Sequence, residues 1–199
     1  MAYLKPAAVR EPARIAVLAS PVRQEIVDTL ATLGGEASVA ALAEQLGRPA
    51  DGLYYHLRLL ARHELIVPAA DGEGGEKRYR FAGKRAPRLD YRPRERGNAQ
   101  AVQRVAHGLM QIARRDFDAA FGDPSVSAAE GPARQLWAAR NKGWVSERDL
   151  AQINRALQRL CALLGRPRSA GRDTLVSLAF VLAPLQARPK RRGRTDDHP

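Results

Sequence analysis

The sequence contains one cysteine, few aromatic residues and no long apolar run. A single cysteine, Cys161, excludes a disulfide framework and a cysteine-rich zinc site, which suits a reducing cytoplasm. No apolar stretch approaches the roughly 20 residues that span a bilayer. The first residues, MAYLKPAAVREP, lack the continuous apolar segment of a signal peptide. We therefore expect a cytoplasmic protein that does not contact a membrane.

The sequence also lacks the motifs of common catalytic sites. The four histidines, at positions 56, 63, 107 and 198, show no metal-ligand spacing, and neither a phosphate-binding glycine loop nor a nucleophile motif is present. The glycine-rich stretch GEGG falls in a predicted hairpin turn, not between a strand and a helix. We therefore expect a protein that is not an enzyme and that holds no metal or cofactor.

Acidic residues become scarce in the second part of the chain. Residues 1–82 hold 10 Lys/Arg and 10 Asp/Glu, whereas residues 83–199 hold 23 and 11, so the net charge of +12 (23 − 11) lies entirely in the second part. A basic excess favours a polyanionic partner, and here nucleic acid before membrane. A solvated, arginine-rich surface is the alternative.

Helical periodicity and capping residues predict three short helices before residue 63, after a first turn opened near Pro12. The stretch SPVRQEIVDTLATLGG has Ser20 as its cap and two glycines as its stop. SVAALAEQLG is capped by Ser38, and a third helix covers residues 50–62. LIVPA and KRYRF then flank a glycine-rich turn, which predicts a hairpin with Tyr79 and Phe81 facing inward.

Three helices followed by a charged hairpin are the order of a winged helix-turn-helix, in which the third helix enters the DNA major groove. Leu53, Leu57 and Leu60 are expected to anchor that helix to the core. His56 is expected to be structural. Nine residues on the third helix, beside it and on the hairpin are the candidates for double-stranded DNA binding: Arg48, Ala50, Asp51, Tyr54, Tyr55, Arg58, Lys77, Arg78 and Arg80.

The rest of the chain divides by composition into three segments. Residues 83–96, rich in proline and Lys/Arg, predict a basic linker. Residues 97–185 predict an α+β domain for homodimerisation, with helices over 97–121 and 147–164 and strands within RQLWAARNKGWV and TLVSLAFVLAPL. Residues 186–199 predict a basic disordered tail. The fold class is mainly α (α+β), with residues 1–82 as the DNA-binding domain.

An apolar seam on the last predicted helix is the candidate dimer contact. The seam follows a 3-4-3-4 spacing but covers barely more than two heptads, so packing within one domain is the alternative. Cys161 lies beside the seam and is expected to be a small buried residue. The seam residues are Leu150, Ile153, Leu157, Leu160 and Leu164.

The residues of the first part also resemble a known family. LASPVRQEIVDTL, SVAALAEQLG and LYYHLRLLARHELI, with the hairpin, are similar to the DNA-binding domain of ArsR-type bacterial transcription regulators. The resemblance covers residues 10–82 and implies a dimeric repressor or, less often, an activator. No cysteine precedes Cys161, so the paired-cysteine metal site of some members is not supported. Glu64 stands where the family usually has glycine.

Two other functions are compatible with the sequence. A nucleoid-type binder would use the basic second part and would not distinguish DNA sequences. A protein-interaction module would use a winged helix that does not bind DNA, which the zero net charge of residues 1–82 allows. An apolar pocket for a small-molecule effector in the C-terminal part also stays open.

Overall fold

A computed structural model describes residues 8–166 and 168–185 of the chain. The elements follow one another as β1 (Ala8–Val9), α1 (Pro12–Val17), α2 (Pro21–Thr32), β2 (Glu36–Ser38), α3 (Val39–Leu46), α4 (Ala50–Arg62), β3 (Ile66–Pro68), β4 (Arg78–Phe81), β5 (Arg88–Leu89), α5 (Arg96–Phe121) and α6 (Glu147–Leu164). The predicted basic tail at 186–199 lies outside the described residues. No helix among the described residues is long and apolar enough to cross a membrane.

The three predicted helices of the first part are confirmed as α2, α3 and α4. Ser20 occupies the cap position of α2 but its side chain makes no capping hydrogen bond, and Pro21 supplies the first helical residue. Ser38 caps α3, because its Oγ accepts a hydrogen bond from the Ala41 amide at 3.1 Å. Gly47 closes α3 in the left-handed conformation, with φ at 60°.

The core of this part is formed by the apolar faces of the helices. Leu53 of α4 is 1% exposed, and Leu57 and Leu60 are 0% exposed, as the helix phase predicted. These three side chains pack in one cluster with Ile26 and Leu30 of α2. The outer face of α4 is therefore fixed in direction by its buried inner face.

The predicted hairpin is confirmed and forms part of a three-stranded sheet. β3 and β4 pair antiparallel, with Ile66 opposite Phe81. Tyr79 and Phe81 face inward as predicted, at 9% and 4% exposure. The sequence did not predict β2, which pairs antiparallel with β4 and makes β4 the central strand.

The turn between α4 and the hairpin contains the one described non-glycine residue with positive φ. This residue is Glu64, with φ at 53°, a conformation that favours glycine. Arg14 of α1 stabilises this turn, because its guanidinium donates to the His63 carbonyl oxygen and to the Glu64 carbonyl oxygen, each at 3.0 Å. The end of α4 is thereby tied to α1.

Helix α5 packs onto the N-terminal helices. Ala101 and Val105 belong to the same buried cluster as α1 and α2. Gly108 permits the close approach, since a Cβ at this position would lie 3.0 Å from the Ala19 carbonyl oxygen. The division into domains stays a prediction, although the first half of α5 shares the core of the winged helix.

Residues 83–96, predicted as a linker, include strand β5, which pairs parallel with β1. Buried Asn98 fixes this pair. Its side-chain amide donates to the Arg10 and Asp90 carbonyl oxygens at 2.9 and 3.0 Å, and its Oδ1 accepts from the Arg92 amide at 2.8 Å. All three hydrogen bonds satisfy polar groups that would otherwise be costly to bury.

The C-terminal helix is confirmed, but both strands predicted beside it are wrong. α6 begins with a capping box between Ser146 and Asp149. RQLWAARNKGWV and TLVSLAFVLAPL form neither helix nor strand, and TLVSLAFVLAPL is exposed throughout. An apolar run becomes a strand only where another strand takes up its backbone hydrogen bonds, and no described strand lies beside these runs. Cys161 is exposed, so its predicted burial is also wrong for the single chain.

Candidate nucleic-acid interface

The outward face of α4 carries a stripe of polar and aromatic side chains. Asp51, Tyr55, Arg58 and Arg62 are exposed and follow a 4-3-4 spacing, which places them on one side of a helix. Tyr55 is 62% exposed. We call these four residues the α4 stripe. The stripe lies opposite the buried Leu53, Leu57 and Leu60.

The two arginines of the α4 stripe are available to a partner. Arg58 and Arg62 make no hydrogen bond or ion pair with any residue that the structure describes. A guanidinium presents a planar set of donors that fits guanine or phosphate. Sequence reasoning named Arg58 but missed Arg62, which the position four residues after Arg58 could have indicated.

Two other candidates on α4 have less room for a partner, and a third is exposed but negatively charged. Ala50 and Tyr54 are half-buried and pack against the core. Asp51 is exposed in the first turn, where a carboxylate suits the positive end of the helix but repels phosphate. Tyr55 and Arg58 are therefore the predicted α4 residues that are exposed and carry no negative charge.

Arg48, predicted to bind phosphate, is held by an ion pair. Its Nη2 lies 3.2 Å from Oε2 of Glu25 on α2, while Oε1 of the same carboxylate lies 2.7 Å from Arg115 of α5. The Glu25 side chain is only 13% exposed. Glu25 thus joins α2, α5 and the turn before α4, and Arg48 helps to position the start of α4.

His56 faces the helices, not the solvent side of α4. Its side chain is half-buried, and Nδ1 is buried with no hydrogen-bond partner among the described residues. Burial, and after it the positive charges of Arg23 and Arg48, hold the pKa of the imidazole below its usual value. A half-buried histidine with a lowered pKa agrees with the structural role predicted for it.

The hairpin contributes further cations, on the central strand β4 and just before it. Lys77 and Arg80 are exposed, and Arg80 donates to the neighbouring Phe81 carbonyl oxygen at 3.2 Å. Arg78 is paired with Glu36 of β2 at 3.2 Å. Lys77 and Arg80 are therefore the hairpin side chains best placed for phosphate contact.

The predicted dimer seam lies on α6, which has no buried residue in the single chain. Leu150, Leu160 and Leu164 are between 40% and 42% exposed. Ile153 and Leu157, on the same side of the helix, are half-buried. The structure brings the five seam residues together on one helix face.

Comparison with known proteins agrees with the helices described above. Residues 18–68 match a family model described as a helix-turn-helix domain. The matched segment runs from the end of α1 through α4 to β3 and covers about a quarter of the chain. No curated protein matches the chain. The chain therefore contains a helix-turn-helix domain, a fold that supports DNA as its partner and a role in transcription regulation.

Proposed function

We propose that this protein is a sequence-specific, DNA-binding transcriptional regulator of the ArsR type, acting in the cytoplasm as a dimeric repressor. One observation carries the proposal: Tyr55, Arg58 and Arg62 are exposed on the face of α4 opposite its buried leucines. The repressor and ArsR assignments rest on the resemblance of residues 10–82. The proposal includes no catalytic activity and no cofactor.

The size of the α4 stripe suits a major groove. From Asp51 to Arg62 the helix rises about 16 Å, and the groove is about 12 Å wide. Arg58 and Arg62 are one turn apart, so they can reach adjacent base pairs or one base pair and one phosphate. Tyr55 adds a hydroxyl and an apolar ring to the same surface.

The hairpin supplies a second contact of a different kind. Lys77 and Arg80 lie where the wing of a winged helix approaches the backbone next to the major groove. Phosphate contacts fix the position of a protein on DNA but do not select a sequence. In the proposed complex, the α4 stripe reads bases and the hairpin stabilises the docking.

Homodimerisation completes the proposed function. Two copies joined through the α6 seam would present two α4 helices with two-fold symmetry. Such dimers bind half-sites separated by about one helical turn, so the operator should be a near-palindrome. A small-molecule effector that binds the C-terminal part is a further element of the same proposal.

The experiment that tests the function is selection of binding sites from a random pool of duplex DNA by the full chain. We expect enrichment of one near-palindromic sequence, bound at least about 1,000-fold more tightly than scrambled duplex at physiological salt. Strong binding without enrichment would indicate a nucleoid-type binder. Absence of binding to any duplex would indicate a protein-interaction module.

A further inference from the structure

The exposed apolar side chains of this chain are concentrated after residue 134. Among the residues that the structure describes, eighteen large hydrophobic residues are exposed, and fourteen of them lie between Trp137 and Leu185. Every buried hydrophobic residue in the same described part, by contrast, lies between Val9 and Ile112. The core is therefore complete without the C-terminal segment, which we define as residues 134–185.

The exposed apolar area of the C-terminal segment is large enough for a protein interface. Trp137 is 66% exposed, Trp144 93% and Leu175 66%. Summed over the fourteen side chains, the exposure is on the order of 1,000 Å² per chain, given that one aromatic side chain alone buries about 150–250 Å². A stable interface buries about 800 Å² on each partner, so the summed apolar area of the segment is sufficient for one.

The chemistry of the segment favours protein over nucleic acid as the covering partner. Near the tryptophans, nucleic acid would fit, since Arg134 stacks on Trp137 at 4.1 Å and Arg140 and Lys142 follow. Eleven of the fourteen exposed residues, however, are leucine or valine. Aliphatic side chains do not stack on bases as aromatic ones do, and they are buried efficiently only against other apolar groups.

Two features make the segment complementary to itself. Only one of the five positions that flank the α6 seam is charged: Asp149, Asn154, Ala156, Cys161 and Leu163. Residues 174–185 contain no charged residue. Two copies related by a two-fold axis can therefore bring the α6 seam and residues 174–185 together with little like-charge repulsion.

The backbone of residues 174–185 also favours a second copy as the partner. Residues 174–185 form neither helix nor strand and pair with no strand in the part of the chain that the structure describes. Buried backbone groups need hydrogen-bond partners, and an apolar run of this kind gains them by pairing with another strand. In a symmetric dimer, the same run of the second copy supplies that strand.

We propose that the C-terminal segment forms one continuous interface with the C-terminal segment of a second copy, which buries Trp137, Trp144, the α6 seam and residues 174–185. This inference rests on the homodimer of the proposed function and extends its contact well beyond the five seam residues. The segment acquires its tertiary packing only when two chains associate.

The two tryptophans of the chain both lie in this segment, so intrinsic fluorescence reports on it alone. The full chain, without DNA, is studied by sedimentation velocity and by tryptophan emission over the same concentration series. We expect dimers, and an emission maximum that shifts to shorter wavelength with the same concentration midpoint. Where the dimer persists at the lowest concentration, Leu178→Asp supplies the monomer for comparison.

Leu178→Asp is expected to weaken self-association at least tenfold and to return the emission to that of solvent-exposed tryptophan. Tyr91→Asp is the matched control, because Tyr91 is 67% exposed but lies outside the segment; it should change neither readout. Thermal melting curves of the helical signal check that both variants remain folded.

Three results would overturn the inference. A monomer with short-wavelength emission means that the chain covers its own segment. A dimer with unshifted emission places the interface elsewhere, and a monomer whose emission shifts only with oligo(dT) makes nucleic acid the occupant. Duplex binding is measured separately. A dimer that selects no DNA refutes the proposed DNA reading and leaves this inference standing. A monomer that selects DNA refutes this inference, together with the homodimer on which it rests, and leaves the proposed DNA reading standing.

Discussion

Two residues of α4 that lie two positions apart should respond to truncation in opposite ways. Leu57 is 0% exposed and packs in the core, whereas Tyr55 is 62% exposed. Leu57→Ala leaves a cavity where α4 meets α2, and we expect the free energy of unfolding to fall by about 2–5 kcal/mol. This loss is large against the roughly 5–15 kcal/mol that stabilises a typical domain.

Tyr55→Ala removes a side chain that contributes little to the core. We expect the free energy of unfolding to change by no more than about 0.5 kcal/mol, while affinity for the selected duplex decreases. Leu57→Ala should instead lower the melting temperature by at least about 8 °C and, at a temperature where it is folded, keep its preference for that duplex.

Urea denaturation followed by circular dichroism, together with duplex titration, measures both effects on the same samples. The reasoning about α4 would be refuted by an unchanged melt for Leu57→Ala, since the helix would then present a different face to the core. A loss of several kcal/mol in the free energy of unfolding of Tyr55→Ala would also refute this reasoning, since Tyr55 would then pack in the core.

Three further predictions concern Glu64, Asp28 and Glu25. The free energy of unfolding of Glu64→Gly should be about 1 kcal/mol higher than that of Glu64→Ala, because φ at 53° strains alanine but not glycine. The urea midpoints of the two variants test this difference. Asp28 as a whole residue is exposed, but desolvation of its carboxyl group raises its pKa to about 6; the hydrogen bond from Gln24 opposes this shift, and the charges of Glu25 and Asp116 add to it. Because the folded-state pKa is raised, ionisation of Asp28 destabilises the fold as pH rises from about 4 through 6. Asp28→Asn should therefore have a higher melting temperature than the parent at pH 7.5 and the same melting temperature at pH 4. An equal gain at both pH values would contradict this. Glu25→Gln should lose about 1–2 kcal/mol, since its arginine partners are 38% and 50% exposed, whereas exposed Glu44→Gln should lose none.

Local patterns were sufficient to predict the helices. The cap Ser38 and the spacing of the buried leucines each act within a few residues, and each was confirmed. The inward positions of Tyr79 and Phe81 followed from strand alternation in the same way. These features depend on chain geometry that the sequence carries locally.

Features that depend on distant partners were not predicted. β1 and β5 pair across 80 residues of sequence, and β2 is too short to show a pattern of its own. The apolar runs in the C-terminal segment were wrongly predicted as strands, because apolar content does not by itself supply a pairing partner.

The candidate site shows the same division. The exposure of Tyr55 and Arg58 followed from the phase of α4. The ion pairs of Arg48 and Arg78 did not, because Glu25 and Glu36 lie 23 and 42 residues away in sequence. Such pairs decide which cations are free for a partner, and only the folded chain shows them.

The most direct test of the DNA-reading role of α4 is the operator preference of Arg58→Ala. Affinities for the selected duplex and for a scrambled duplex are measured at one salt concentration for the parent, Arg58→Ala and the control Arg104→Ala, which alters an exposed arginine on α5. We expect Arg58→Ala to lose about 1–3 kcal/mol of preference for the selected sequence and Arg104→Ala to lose none. Equal preference in all three proteins would contradict base reading by the α4 stripe.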